Sequence, residues 1–243
     1  MSQPGYKQFC PVAMAAEVLC TRWTILLIRE LVAGTTRFND LRRGVPKMSP
    51  SLLSQRLKEL ENAGVLEKKE HDLEIGIFEY HLTMAGQDLC PVVEAMGNWG
   101  QKWVESQISL QNLDPSLLMW DMRRNINPSP LPTKKTVIQF IYPELPRSKQ
   151  RWWLVIEPKG QVDLCWADPG FNIDLYVTTD LRTMTAIWMG FTTVKQERKK
   201  MKLIGTKIIA SSMQVWLGLS PFAVQKKLGV TPAVVHTQND KIT

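Results

Sequence analysis

The hydrophobic period of this chain changes once, and that change limits the folds open to it. From Pro11 to Val104 the apolar residues recur at helical spacing, interrupted by one hairpin-like stretch; from Thr136 onward they run in strand-sized blocks. Such a division predicts an α+β protein, with a helix-rich N-terminal part and a C-terminal part in which a mixed sheet packs against helices. The 243 residues suffice for two modest domains, expected at 1–108 and 109–243, each with its own core.

In the first part, Trp23 to Val32 carries a broad apolar stripe, and Arg37 to Arg43 is a short helix with Phe38 and Leu41 inward. Pro46 marks a turn. Ser49 then offers a side-chain cap and Pro50 a preset first helical residue, so a helix is expected to run from there to Asn62. Leu53, Leu57 and Leu60 turn one face inward. The opposite face carries Ser51, Gln55, Lys58 and Asn62, with Ser54 and Arg56 beside them. Val65 to Lys69 and Phe78 to Leu82 read as a hairpin, and Gly86 to Val104 as one long helix with Val92, Met96, Trp99 and Trp103 along a stripe.

The order helix, short helix, turn, capped helix, hairpin is that of a winged helix-turn-helix. Hydroxyl, amide and basic side chains on its third helix are the types that bond base edges and phosphates in double-stranded DNA. The candidate contacts are Arg42, Arg43, Ser49, Ser51, Ser54, Gln55, Arg56 and Lys58, with Lys68 and Lys69 at the root of the hairpin. Local charge matters more here than the net charge of +7, most of which lies after Asn112. A polar helix face taken alone is ordinary solvated surface; the ordered set points to DNA.

Cys10-Pro11-Val12, Arg22-Trp23-Thr24, Leu27 to Leu31, Arg37-Phe38-Asn39-Asp40-Leu41, and Ser49-Pro50 through Leu57 to Leu60-Glu61 together closely resemble the HxlR-type family of winged-helix regulators. Tyr80 to Thr83, Gly86, Val93-Glu94-Ala95 and Trp99-Gly100 extend the likeness over about the first 105 residues. The resemblance implies a homodimer on a two-fold operator, joined through the first and last helices of the domain. It also implies that Cys10, at a helix start, occupies a position some relatives use to sense oxidants; simple packing near a dimer contact is the other reading. Two departures stand out: Ile75-Gly76-Ile77-Phe78 replaces a basic hairpin tip, and Ser51 stands where the family often has a basic residue.

In the second part, strands are expected at Thr136 to Tyr142, Trp152 to Glu157, Val162 to Ala167, Ile173 to Thr178 and Lys202 to Ile209. Helices are expected around Leu117 to Arg124, Asp180 to Met189 and Ser211 to Leu217. Trp153 to Pro158 with Gly160, Asp174 to Val177, the helix ending at Gly190, and Lys202 to Gly205 resemble the sterol-carrier-protein-like fold. That likeness implies a tunnel for an apolar small molecule or lipid, lined by Leu181, Met184, Trp188, Leu203, Met213 and Trp216; ordinary core is the alternative for the same residues. Neither a catalytic constellation nor a cofactor loop is visible, so no enzyme activity and no cofactor are expected. Sparse cysteines without disulfide or zinc spacing, the lack of a signal-peptide pattern and the shortness of the apolar runs lead to an expectation of a cytoplasmic protein without integral membrane association. The combined expectation is a transcription regulator, a repressor in sign; the rival is a lipid carrier that uses its N-terminal domain only to dimerise.

Overall fold

The computed structural model describes residues 5–104 and 112–224, so the expected boundary at 108/109 lies outside the described residues. The first part contains α1 (Pro11–Leu19), α2 (Thr24–Val32), α3 (Phe38–Gly44) and α4 (Pro50–Asn62), then the hairpin β1 (Leu66–Glu70) and β2 (Phe78–Leu82). The helices α5 (Met84–Gln87) and α6 (Cys90–Trp103) follow. Leu27, Ile28, Leu31, Leu41, Leu53, Leu57 and Leu60 meet in one core with Val65, Leu66 and Val93. The single helix expected from Gly86 is two. Pro91 sits in the first turn of α6 and lacks the N–H needed to continue the hydrogen-bond ladder from Gln87.

The second part opens with α7 (Pro115–Asn125), whose N-cap Asp114 accepts from the N–H groups of Ser116 and Leu117. Five strands follow: β3 (Thr136–Ile141), β4 (Arg151–Ile156), β5 (Val162–Cys165), β6 (Leu175–Thr178) and β7 (Lys202–Gly205). They form one mixed sheet in the order β5-β4-β3-β6-β7, parallel only between β3 and β6. The register aligns Ile138 with Leu154 and Leu175, and Phe140 with Trp152 and Val177, which puts these side chains on one face. That face is covered by α7, by α8 (Leu181–Trp188), and by the short α9 (Lys207–Ser211) and α10 (Met213–Trp216). Gln139, Val137, Trp153 and Val155 are buried on the other face, so the central strands are covered on both sides.

The expected strand from Lys202 to Ile209 ends at Gly205. There φ is +140°, and a Cβ would stand 2.2 Å from the carbonyl oxygen of Asp174, so the chain crosses its neighbour closely and turns into α9. The apolar residues Ile208 and Ile209 extended the strand pattern in the sequence, but they belong to the helix that follows.

The two parts meet at a buried charge. Glu30, on α2, has no exposed side-chain surface. Its Oε2 accepts from Trp120 Nε1 on α7 at 3.1 Å and from Arg124 Nη2; its Oε1 accepts from Arg29 Nη2 at 2.6 Å. Arg29 also donates to the carbonyl of Gly44 at 3.1 Å. Removing one partner from such a buried pair costs about 3–5 kcal/mol, because the remaining charge has no water to turn to. Gly44 makes room for this arrangement: a Cβ there would lie 1.9 Å from Glu30 Cδ.

Two outcomes follow from this packing. Helix propensity alone makes Gly44→Ala stabilising by about 1 kcal/mol; the carboxylate beside it reverses the sign, and urea unfolding is expected to show a loss of about 1–3 kcal/mol. A gain would mean that Glu30 does not press on α3. Burial favours protonation of Glu30, but Arg29 and Arg124 outweigh it and hold the carboxyl below its ordinary value. The ionised carboxylate therefore contributes its full stability above the unfolded value of about 4.3 and loses it as the pH falls through the lower folded value. Wild-type stability should drop more steeply with acid across that window than stability of Glu30→Gln; parallel curves would contradict the assignment.

Candidate nucleic-acid interface

The site is built on α4. Ser49 adopts extended backbone angles and its Oγ accepts from Leu52 N at 3.3 Å, while Pro50 occupies the first turn. A cap of this kind contributes about 1 kcal/mol and fixes where the helix begins. Leu53, Leu57 and Leu60 are buried, which sets the rotation of the helix. Ser51, Ser54, Gln55, Lys58 and Asn62 are then exposed together, as the sequence predicts.

This polar face is organised by two carboxylates that the helix-turn-helix pattern does not single out. Glu59 Oε1 accepts from Gln55 Nε2 at 2.9 Å, and Glu59 Oε2 pairs with Arg56 Nη1. Glu61 pairs with Lys58 Nζ at 3.0 Å. Arg56 is half-buried and its Nε donates to the carbonyl of Arg22 at 3.3 Å, so it braces α4 against the segment before α2. Only the spacings of three and four to Glu59 and Glu61 could have signalled these pairs in the sequence. Exposed pairs of this kind are weak, so a phosphate or base edge can take over the donors.

The flanking basic residues divide. Arg42 is exposed beside the turn that leads into α4. Arg43 has partners of its own: it pairs with Asp40 at 3.1 Å, and its guanidinium carbon lies 4.7 Å from the ring centre of Trp166 and 5.4 Å from that of Trp120. Two indole faces hold a planar cation there. In the hairpin, Lys68 lies 3.9 Å over the ring of Phe78 and Lys69 pairs with Glu67 at 2.5 Å. The hairpin is anchored by Arg37, which pairs with Glu74 at 2.6 Å and with Glu79 at 3.3 Å. Its tip is apolar, with Ile75 98% exposed, and Glu70, Asp72 and Glu74 surround it. A tip without an unpaired cation has little to offer a phosphate backbone.

Away from α4, α1 has no buried residue, and Phe9, Val12 and Met14 on its side and Met96 and Trp99 on α6 are exposed. Cys10 is exposed just before α1, and the N–H groups of Ala13 and Val12 lower its thiol below the ordinary cysteine value. In the second part, Leu181, Met184, Trp188, Met213 and Trp216 are all buried in one cluster, with Leu203 half-buried against it. Trp216 Nε1 donates to the Ile209 carbonyl at 2.6 Å, and its ring meets Phe140 edge-on at 6.5 Å. These side chains pack on one another. No single helix among the described residues is long and apolar enough to cross a membrane.

Residues 18–108 match the HxlR-like helix-turn-helix family. The HTH-type transcriptional regulator YvaP of Bacillus subtilis is 32% identical over 99 residues, covering 40% of this chain and 92% of that protein. The HTH-type transcriptional regulator sll1512 of Synechocystis is 33% identical over 98 residues, covering 40% of this chain and 73% of that protein. Among solved structures, the reduced form of the transcriptional regulator YodB from B. subtilis has 32% identity, covers 40% of this chain and 97% of that one, and gives a TM-score of 0.35. The family match spans α4, and through it the chain belongs to the HxlR-like helix-turn-helix family of DNA-binding transcriptional regulators.

Proposed function

We propose that the protein is a homodimeric, cytoplasmic repressor that reads a two-fold operator with α4 and answers to an apolar small molecule held by its C-terminal domain. The observation that carries the DNA reading is the face of α4: buried leucines on one side leave Ser51, Ser54, Gln55 and Lys58 exposed on the other. Base-edge contacts fall to Gln55, Ser51 and Ser54. Phosphate contacts fall to Arg42, Lys58 and the hydroxyl and N–H groups around Ser49 at the helix start. Arg56 acts from its brace on the Arg22 carbonyl, and Lys68 and Lys69 approach the flanking backbone from the hairpin root. Arg43 is left out of this set, because its guanidinium is held between Trp166 and Trp120.

The exposed apolar residues of α1 and α6 support the homodimer: Phe9, Val12, Met96 and Trp99 are costly in water, and a two-fold contact between copies would cover them. For the effector, the domain at 109–243 is read as sterol-carrier-like. Its Leu181, Met184, Trp188, Leu203, Met213 and Trp216 are rich in adaptable Met and Trp, the composition of a core that can part around an apolar guest.

Gel-shift titration with the DNA upstream of the protein's own gene tests the DNA reading. Each lost bidentate base contact costs about 1–3 kcal/mol, so Gln55→Ala should weaken specific binding by roughly 10- to 100-fold while the protein stays folded. Arg42→Ala should weaken all duplexes alike and reduce the salt slope by about one. Equal affinity for that DNA and for scrambled DNA at every salt concentration would defeat the proposal.

A further inference from the structure

We propose that Glu30 is a positioning residue for DNA reading: its buried carboxylate fixes the turn between α3 and α4 against α7, so the orientation of α4 depends on the C-terminal domain. The inference rests on α4 being the helix that reads DNA. It goes further in naming what aims that helix.

The contacts run without a gap from the sheet to the turn. Tyr142, at the end of β3, donates from its hydroxyl to Met119 Sδ at 3.2 Å. Met119 and Trp120 are adjacent on α7 and neither has exposed surface. Trp120 Nε1 and Arg124 Nη2 donate to Glu30, and Arg124 Nη2 also donates to Thr35 Oγ1 at 3.1 Å, at the entry to α3. From Glu30 the path goes through Arg29 to the carbonyl of Gly44 at the exit of α3, five residues before the cap of α4. Arg43, stacked on Trp120 and Trp166, ties the same exit to the second domain by a separate contact.

Both ends of α3 are therefore held from α7, one through Thr35 and the other through Gly44 and Arg43. An apolar seam can slide with little change in energy. A carboxylate with four N–H donations from three side chains, at fixed angles and out of water, cannot. A shift of α7 must be followed by α3 or must break these bonds, so the position of one helix is coupled to that of the other.

The test uses the full-length chain and substitutions on the α7 side, which leave the core of the first part intact. Arg124→Gln removes the charge, Arg124→Lys keeps it, and Trp120→Phe removes one N–H donor while keeping most of the ring. Hydrogen exchange without DNA is followed at residues 35–48. DNA discrimination is measured as the affinity ratio between a duplex selected from a randomised pool by the wild-type chain and a scrambled duplex of equal length. Arg124→Gln and Trp120→Phe should each exchange roughly fivefold or more faster in that segment and lose about tenfold in discrimination, within the usual range of coupling between sites. Affinity for scrambled DNA should stay within about twofold, and Arg124→Lys should recover most of the loss. Wild-type exchange and discrimination in folded Arg124→Gln or Trp120→Phe would overturn the proposal; if Arg124→Gln does not fold, Trp120→Phe decides alone. A pool that yields no preferred duplex would instead bring down the DNA reading on which the inference rests, and the exchange measurement would still tell whether the seam holds the turn.

Discussion

A carboxylate shut away from water must be answered by donors on every side, and Glu30 obtains them from both halves of the protein. Arg29 comes from its own helix, Arg124 and Trp120 from α7. The requirement reaches outward: Gly44 must lack a side chain, Trp120 must be buried with its N–H turned inward, and α7 must lie across α2 and α3. A family member assembled from two independent cores is in this way joined at a point where neither core is complete in its polar bonding.

The helix-turn-helix depends on simpler forces. Three leucines at helical spacing set the rotation of α4, a serine and a proline set its start, and the polar face is what remains. These effects are local, with a period that can be counted along the chain, which is why the existence, limits and exposed residues of α4 were legible in the sequence. The existence and order of the strands were legible for the same reason, though not all of their ends: their apolar runs and the turn at Gly160 set them apart, and the register then follows from which face must be buried.

What stayed hidden depends on partners distant in the chain. Arg43 looks like a phosphate contact because it sits before the turn beside Arg42; that it faces Trp120 and Trp166 follows only from the docking of α7 and the sheet. Glu30 reads as a polar residue on a helix otherwise rich in apolar ones, and nothing local shows that Arg124 will reach it from 94 positions away. Gly205 ends a strand that the apolar pattern carries on to Ile209, because the carbonyl of Asp174 crosses there. Glu59 and Glu61 were within helical reach of their partners, but their influence on Gln55, Arg56 and Lys58 depends on rotamers that spacing alone does not give.

If Glu30 joins the two halves, they must unfold as one body. Calorimetric unfolding of the full-length chain at neutral pH measures this directly. A seam built on a shared buried charge predicts a single endotherm in which both halves melt together. Two separate endotherms, one per half, would show that Glu30 does not bind the DNA-reading part to the sheet and would contradict the account.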